Sequence, residues 1–259
     1  MARGRQTTGP PDFIGVGTQR SGTTWWFATL LQHPAIRPSR HSKKELHFFN
    51  RFCWKEMRDA DVARYHRRFP RRPGQLTGEW TPRYIHNFWT PRLIRRAAPD
   101  AKLLVMFRDP IERFRSGVPK EVVVVPGRRI ELIVADAIER GRYASQLERL
   151  RAGHETAEIL VLQYEKCVAD PVGQYQRTLR FLGADPEHEP EEVERPRGKS
   201  RASSKKSLWT DMLDALTTSL EPEVRRLAAI APEIDVSLWP NFSHLARSGE
   251  TQVENAPAA

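Results

Sequence analysis

Short apolar runs separated by amphipathic stretches make up most of this chain. Four runs have the length of a β-strand and lie at residues 12–17, 75–80, 102–107 and 158–164. The run at 102–107, KLLVMF, is apolar on both faces, which is typical of a central strand covered on both sides. The pattern therefore predicts four buried strands of one sheet.

Helical patterns follow the strands. The pairs Asp109-Pro110 and Asp170-Pro171 each supply an N-cap and a proline at the first helical position, so a helix is predicted after each pair. The other predicted helices lie at residues 23–31, 91–98, 130–151 and, as two helices, 207–231.

Strands that alternate with helices favour an α/β fold, in which a central parallel sheet is flanked by helices in three layers. No internal repeat is present, and no second apolar core follows the polar, basic stretch at 190–207, so that stretch is interpreted as a loop or lid. One domain is predicted at residues 12–245, between disordered tails at 1–11 and 246–259.

Composition narrows the class of protein. The 259 residues include 42 Lys and Arg against 32 Asp and Glu, a formal net charge of +10, which predicts anionic partners. Cys53 and Cys167 are too few and too far apart for a disulfide framework or a cysteine zinc site. No apolar run reaches about 18 residues, so we expect no membrane span and a cytoplasmic location.

A phosphate-binding loop is predicted where the first strand meets the first helix, at the string GTQRSGTTW of residues 17–25. Loop amides and a helix N-terminus that face one concavity favour an oxyanion. The alternative is an ordinary tight turn between strand and helix. The candidate binding residues of this loop are Gln19, Arg20, Ser21, Gly22, Thr23, Thr24 and Trp25.

The spacing of Gly17, Gly22 and Thr24 copies the P-loop pattern GxxxxGK[ST] with one change. Thr23 stands where the P-loop has a lysine, and the cation lies inside the loop as Arg20. The P-loop lysine reaches the outer phosphates of a triphosphate. A cation inside the loop reaches only groups next to the first phosphate, which argues against a P-loop kinase.

A second anion site is predicted where the third strand ends. Arg108 leaves the carboxyl end of that strand, the edge at which open α/β sheets bind ligands. Ser116 follows about two helical turns later, and an arginine fork with a hydroxyl can bind a second phosphate. The alternative for Arg108 is an ion pair with Asp109 or Glu112. Arg113 is interpreted as an outer-face charge or salt-bridge partner.

Two phosphate sites on one sheet point to a nucleotide with phosphates at separate positions. Residues 20–25 resemble the 5′-phosphosulfate loop of sulfotransferases that use 3′-phosphoadenosine-5′-phosphosulfate (PAPS), and residues 108–116 resemble their 3′-phosphate motif. The resemblance extends over most of residues 12–242. It implies a P-loop-like fold, PAPS as the donor and 3′-phosphoadenosine-5′-phosphate (PAP) as the product. No metal is expected, because the transfer requires none and the sequence has no HxxxH, HExxH or cysteine cluster to hold one.

Three further strings resemble the heparan sulfate N- and O-sulfotransferases. KELHFF at 44–49 resembles their Lys-Glu-x-His-Phe-Phe string, and EWTPRY at 79–84 resembles their Glu-Lys-Thr-Pro-x-Tyr string. Lys199, Ser200 and Arg201 lie where that group has a loop over the nucleotide, which implies donor binding, with solvated loop charge as the alternative. The absence of a membrane anchor points to a small soluble bacterial member.

The resemblance also implies roles for residues. Glu45 is the expected base for the acceptor proton, and His47 is either the alternative base or a core aromatic. Arg20 is expected to stabilise charge on the bridging oxygen, where the family usually has a lysine. Lys44 is expected to neutralise the sulfuryl group, with a solvated surface lysine as the alternative.

Trp80 departs from the family string, because it replaces a lysine. An aromatic side chain there favours an apolar or stacking acceptor over a glycosaminoglycan. The acceptor pocket is expected within residues 50–75 and 117–130, whose apolar run at 122–125 is interpreted as a pocket wall, a strand or a dimer contact. The aromatic residues of the first segment are Phe52, Trp54, Tyr65 and Phe69.

The predicted activity is in-line transfer of a sulfuryl group from PAPS to a hydroxyl, with an amine as the lesser alternative. The acceptor is expected to be a small molecule or a carbohydrate, and a polyketide or nucleoside metabolite and a peptide tyrosine stay open. Nucleic acid is not expected as a partner, because the paired arginines are scattered without a recognition motif. A membrane is not expected either, because no apolar run is long enough to span one. A homodimer is considered.

Overall fold

The computed structural model describes residues 5–40, 44–124, 129–154, 158–191, 193 and 210–247. The strands within these ranges are β1 (Thr7–Thr8), β2 (Phe13–Gly17), β3 (Ile36–Pro38), β4 (Pro70–Arg71), β5 (Leu76–Trp80), β6 (Lys102–Phe107) and β7 (Ile159–Gln163). The helices are α1 (Thr23–Leu30), α2 (Asp59–His66), α3 (Thr90–Ala97), α4 (Pro110–Val124), α5 (Ile130–Glu139), α6 (Tyr143–Gly153), α7 (Tyr164–Ala169), α8 (Pro171–Leu182), α9 (Thr210–Ile230) and α10 (His244–Arg247).

A parallel sheet of five strands forms the middle layer, in the order β3-β5-β2-β6-β7. The central strand β2 pairs with β5 on one side, where Ile14 lies opposite Glu79, and with β6 on the other, where Gly15 lies opposite Leu104. The four predicted strands are confirmed. β3 was not predicted, because its three residues include an arginine and a proline and form only the sheet edge.

Helices cover both faces of the sheet, which confirms the predicted three-layer α/β fold. On one face Leu104 and Met106 pack with buried side chains of α1 and α8. On the other face Leu103 and Val105 pack with buried side chains of α3, α6 and α9. Successive side chains of a strand point to opposite faces, so the continuous apolar run of β6 supplies both layers of core.

The helices after β6 differ from the prediction. Residues 130–151 form α5 and α6, because the turn at Gly141 lets Tyr143 pack on Phe107 with the ring centroids 4.6 Å apart. The pair predicted at 207–231 is the single helix α9, in spite of Pro222 inside it. Burial of a continuous apolar face outweighs the hydrogen bond that proline removes. That face consists of Leu213, Leu216, Leu220, Val224 and Leu227.

Two further segments differ from expectation. Residues 122–124 continue α4, so the apolar run there is helical and the strand interpretation is wrong. Near the N-terminus β1 pairs with β4, and Arg71 binds the Pro10 carbonyl and the Asp12 carboxylate, so order begins inside the tail predicted at 1–11. The domain boundaries stay predictions. None of the described helices combines the length and apolar character that a membrane crossing requires.

Candidate active site

The loop between β2 and α1 is fastened to the sheet beneath it. The Thr18 hydroxyl donates to the Met106 carbonyl at 2.8 Å and lies 2.6 Å from the Ser21 hydroxyl, and both side chains are buried. Gly22 has a φ of 84°, and a Cβ there would lie 2.6 Å from the ring of Tyr164. The sequence uses glycine at the helix entrance because both the backbone conformation and this close ring require it.

Two polar atoms of this loop region lack a hydrogen-bond partner among the described residues. They are the Gln19 Oε1 oxygen and the indole Nε1 of Trp25, and both are buried. Buried polar groups are normally hydrogen-bonded, and unpaired ones mark positions where a ligand or water completes the site. With the loop amides at the N-terminus of α1, the Trp25 donor suits an anionic ligand.

Arg108 lies beside this loop, as the second predicted anion site requires. Its Nη1 donates to the Arg20 carbonyl at 3.2 Å, and its guanidinium lies 4.8 Å from the centroid of the Tyr164 ring. The alternative pairing with Glu112 is loose, at 3.8 Å. Arg108 is therefore anchored at the loop, and the loosely paired Glu112 carboxylate leaves its guanidinium available to an anionic ligand.

Arg20 reaches across to the helix that follows Arg108. A Cβ placed on Gly117 would lie 3.5 Å from Cγ of Arg20, so the Arg20 side chain runs against α4 next to the half-buried Ser116. The structure thus brings Arg20, Arg108 and Ser116 to one corner, at the carboxyl ends of β2 and β6. Thr23, Thr24 and Trp25 form the first turn of α1 at the same corner.

The start of α4 is fixed by buried groups that sequence reasoning missed. Asp109 accepts hydrogen bonds from the Ile111 and Glu112 amides and from the backbone and side chain of Asn241. Glu165 accepts from the Asp109 amide and from the Trp239 indole, and burial raises the pKa of Glu165. These contacts hold the base of Arg108 in place.

Arg113 is buried, so its interpretation as an outer-face charge is wrong. Its guanidinium donates to the Ala137 carbonyl of α5, which ties α4 to α5. Arg115, two residues later on α4, is half exposed and pairs with Glu112 at 2.9 Å.

The segment from Lys44 to His47 faces the phosphate loop. Lys44 Nζ lies 3.0 Å from the Thr23 hydroxyl, 3.2 Å from the Thr24 hydroxyl and 3.0 Å from Glu45 Oε1. Its side chain is 15% exposed, which contradicts the surface-lysine alternative. Burial lowers the pKa of Lys44, although Glu45 acts in the opposite direction.

The Glu45 carboxylate lies between two donors. Oε1 faces Lys44, and Oε2 lies 3.2 Å from Nε2 of His47. Burial acts to raise the pKa of Glu45, but the hydrogen bond from His47 and the charge of Lys44 outweigh it, so the pKa is lowered. His47 is about half exposed, whereas Phe48 and Phe49 are buried, so His47 is not a core aromatic.

Glu79 fixes the position of this segment. It is fully buried and accepts hydrogen bonds from the Tyr65 hydroxyl at 2.7 Å, the Tyr84 hydroxyl at 3.1 Å, the Thr81 hydroxyl at 2.6 Å and the Leu46 amide at 3.1 Å. Burial raises the pKa of Glu79. Residues of the EWTPRY string therefore hold the KELHFF string in position. The sequence alone does not reveal these contacts.

Trp80 is completely buried, and its indole donates to the Gly17 carbonyl at 3.1 Å. Its side chain packs with Phe13 and Trp26 in the core. The expectation that Trp80 stacks on an acceptor is therefore wrong. Its role is to support the phosphate loop from below.

The expected aromatic wall of the acceptor pocket is also largely wrong. Phe52, Tyr65 and Phe69 are buried in the core, and only Trp54 of the four is exposed, at 94%. The expected nucleotide-covering residues Lys199, Ser200 and Arg201 lie outside the described residues.

Comparison with known proteins decides the family. A family model described as the sulfotransferase domain matches residues 10–227. This chain belongs to the sulfotransferase family. The resemblance read from residues 20–25 and 108–116 is thereby confirmed.

This chain is similar to several heparan sulfate enzymes. It is 31% identical over 186 residues to heparan sulfate glucosamine 3-O-sulfotransferase 6 of Mus musculus, covering 67% of this chain and 52% of that protein. It is 32% identical over 187 residues to heparan sulfate glucosamine 3-O-sulfotransferase 3B1 of Mus musculus, covering 67% and 46%. The chain thus spans about half the length of the curated relatives that it matches.

A solved structure has the same fold. The sulfotransferase from Alicyclobacillus acidocaldarius superimposes with a TM-score of 0.69 at 24% identity, covering 88% of this chain and 98% of that chain. The P-loop-like fold of the prediction is confirmed. The cytoplasmic location, the bacterial origin, the homodimer and the absence of a metal stay predictions.

Sulfotransferases of this family use PAPS as the donor. The residues present fit such a ligand, because the N-terminus of α1 and the cations Arg20 and Arg108 lie at one corner. The structure brings Arg20, Arg108 and Ser116 together at one corner, and it brings Lys44, Glu45 and His47 to the first turn of α1.

Proposed function

We propose that this sulfotransferase transfers the sulfuryl group of PAPS to a hydroxyl of a small-molecule or carbohydrate acceptor. One observation carries the proposal: Lys44 Nζ touches the Thr23 and Thr24 hydroxyls of the phosphate loop and the Glu45 carboxylate at the same time. A phosphate-binding loop and a candidate base therefore lie within one side chain's reach. A reaction between a bound donor and a neighbouring hydroxyl needs this arrangement.

The donor is assigned to two groups of residues. The 5′ side would be held by the loop and first turn of α1, and the 3′-phosphate by Arg108 and Ser116. When bound, PAPS supplies the sulfuryl group and a phosphate leaving group. Lys199, Ser200 and Arg201 stay proposed contacts over the nucleotide. The 5′ group consists of Gln19, Arg20, Ser21, Gly22, Thr23, Thr24 and Trp25.

Glu45 is the proposed catalytic base. The carboxylate is ionised at neutral pH, and its lowered pKa makes it a weaker base. It accepts the proton of an acceptor hydroxyl as the oxygen attacks sulfur, because that attack makes the hydroxyl proton far more acidic. Lys44 balances negative charge between base and loop, and Arg20 stabilises charge on the departing phosphate oxygen. As a permanent cation, Arg20 acts by charge and hydrogen bonding without giving up a proton.

The acceptor class is proposed from the relatives. Those relatives carry 3-O-sulfotransferase in their names, which favours oxygen over nitrogen as the attacking atom. Because Trp80 is buried beneath the loop, it gives no reason to prefer an apolar acceptor over a carbohydrate. Both acceptor classes therefore enter the test.

Donor binding is tested first by calorimetry with PAP, ATP and 5′-AMP. We expect tight binding of PAP and weak binding of the other two, because two separate phosphate sites need two separate phosphates. Arg20→Ala and Arg108→Ala should each weaken PAP binding. Arg142→Ala is the matched control, since Arg142 is half exposed and pairs with Glu139 of α5. Equal binding of ATP, or no PAP binding, would refute the donor assignment.

Transfer is tested by an acceptor screen with labelled PAPS. Glu45→Gln should lower kcat by roughly 100- to 10,000-fold, the usual contribution of a general base, and leave PAP affinity nearly unchanged. Lys44→Met should also lower kcat. A Glu45→Gln variant with wild-type turnover would exclude Glu45 as the base.

A further inference from the structure

A chain of side-chain hydrogen bonds runs from a buried asparagine to the proposed base. Asn87 Nδ2 donates to Asn50 Oδ1 at 3.0 Å, and Asn50 Nδ2 lies 3.1 Å from His47 Nδ1. His47 Nε2 lies 3.2 Å from Glu45 Oε2. Four residues, three from the stretch 45–50 together with Asn87, are thus linked in series.

The two amides give this chain a direction. An asparagine side chain has one accepting oxygen and one donating NH₂ group. Because Asn50 uses its oxygen to accept from Asn87, it presents its NH₂ group to His47. A ring nitrogen that accepts a hydrogen bond carries no proton, so in the neutral ring the proton is on Nε2, which faces Glu45.

The backbone at His47 shows that this geometry is imposed by its surroundings. Among the described residues only Arg20 and His47 are non-glycine residues with positive φ, and His47 has a φ of 48°. Such a conformation persists only where neighbouring contacts hold it. The His47 amide donates to the Thr81 hydroxyl at 3.3 Å, and the Asn50 amide donates to the His47 carbonyl at 3.3 Å.

Asn87, the first residue of this series of hydrogen bonds, is itself held in a fixed position. It is 5% exposed, and its carbonyl accepts hydrogen bonds from the Thr90 amide at 3.1 Å and the Thr90 hydroxyl at 2.6 Å. These bonds fix the backbone of Asn87 three residues before α3 begins. An amide held there can orient Asn50, whose own side chain is only partly buried.

We propose that Asn87 and Asn50 are positioning residues that hold His47 in its Nε2–H tautomer, so that His47 is a hydrogen-bond donor to Glu45 and not the base. This inference rests on the proposed function for its catalytic meaning. The charged groups next to the ring are Glu45 on its own segment and Lys44 beyond that carboxylate, while Thr81 faces the segment from the end of β5. The assignment resolves the choice between Glu45 and His47 in favour of Glu45.

The decisive variant is Asn87→Asp, which keeps the size of the side chain. It replaces the donor of the hydrogen bond to Asn50 with an acceptor. An ionised aspartate only accepts hydrogen bonds, so Asn50 must turn its NH₂ group towards it and present its oxygen to His47. Nδ1 then has to carry a proton. Asn87→Leu is the matched control, since it removes the anchor without demanding the reversal.

The readout is the ¹⁵N spectrum of the histidine rings in labelled protein, because a bare ring nitrogen and an N–H nitrogen resonate far apart. The chain has 8 histidines, and loss of one set of signals in His47→Gln assigns His47. We expect a bare Nδ1 and a protonated Nε2 in the wild type, and a protonated Nδ1 in Asn87→Asp. A merely structural asparagine would change the melting temperature and not the position of the proton.

Measurement of kcat/KM provides a second test of the proposal. Asn87→Asp and Asn50→Leu should each lower kcat/KM by roughly 10- to 100-fold, the loss expected for one hydrogen bond to a charged group, with PAP affinity unchanged. A protonated Nδ1 in the wild type, or an unchanged ring in Asn87→Asp, would overturn the proposal. Because the spectrum needs neither donor nor acceptor, it can succeed even if the transfer assay refutes the proposed function.

Discussion

Replacement of Gly15 by alanine tests how the phosphate loop is supported. A Cβ on Gly15 would lie 2.1 Å from both Cγ and Cδ2 of Trp80 and 2.5 Å from Cδ1. Carbon atoms in favourable contact are about 3.5–4.0 Å apart, so the indole would have to move by more than about 1 Å. The ring is completely buried and its Nε1 is bonded to the Gly17 carbonyl, so no such movement is open to it.

The expected cost follows from this overlap. Overpacking a core costs about 1–3 kcal/mol and occasionally more, and we expect Gly15→Ala to lie at about 3 kcal/mol. Trp80→Ala alone should cost about 3–5 kcal/mol through the lost ring. In the Trp80→Ala background the overlap no longer exists, so Gly15→Ala should cost less than about 0.5 kcal/mol. The coupling free energy is therefore about 3 kcal/mol in magnitude.

A double-mutant cycle by urea unfolding measures this coupling, with PAP calorimetry on the same four proteins. Gly15→Ala should also weaken PAP binding, because a displaced Trp80 releases the Gly17 carbonyl at the start of the loop. Gly9→Ala is the matched control: a Cβ there would contact only the Arg71 guanidinium, at 3.6 Å. Additive costs for Gly15→Ala and Trp80→Ala, within about 0.5 kcal/mol, would refute the reasoning.

Three further outcomes are expected. Glu79→Gln should lower the free energy of unfolding by about 2 kcal/mol, because an NH₂ group replaces an oxygen that accepts two hydrogen bonds; an unchanged urea midpoint would contradict this. For Asp136, burial raises the pKa, but the His86 hydrogen bond and the Arg140 charge outweigh it and lower the pKa. The stabilisation from Asp136 is therefore present above about pH 4 and lost as the pH falls towards the lower folded-state pKa. In Asp136→Asn the urea midpoint should depend less on pH over that acidic range; a pH dependence equal to that of the wild type would count against this. Gly22→Ala should destabilise the chain by more than about 1 kcal/mol and weaken PAP binding in calorimetry, because of the positive φ and the close Tyr164 ring; wild-type affinity would contradict the loop geometry.

Features that depend on neighbouring residues in sequence were predicted well. The strand, loop and first helix at residues 13–30 follow from an apolar run, two glycines and hydroxyl residues in a row. The helix start after Asp109 follows in the same way, since its carboxylate accepts from the amides two and three residues later. Each signal is complete within one continuous stretch of sequence.

Features that depend on distant residues were missed. Trp80 stands in a string that resembles a site motif, yet its ring points into the core because Gly15 on the neighbouring strand leaves room for it. Arg113 is charged, yet the Ala137 carbonyl of α5 accepts from it in the interior. The bond from Glu79 to the Leu46 amide joins residues 33 positions apart. No local pattern encodes such contacts, so motif resemblance located the residues without giving their roles.

Arg108 and the segment from Lys44 to His47 lie on opposite sides of β2, which has an evolutionary consequence. Arg108 extends from β6, whereas the segment of Glu45 and His47 hangs from the end of β5, and these strands flank β2 on opposite sides. Insertions or substitutions beyond β5 can therefore reshape what approaches the base while the spacing between the loop and Arg108 stays set by the pairing of β2 with β6. Related proteins can therefore diverge in the acceptor that they modify and keep the same donor, because the two groups of residues extend from different strands.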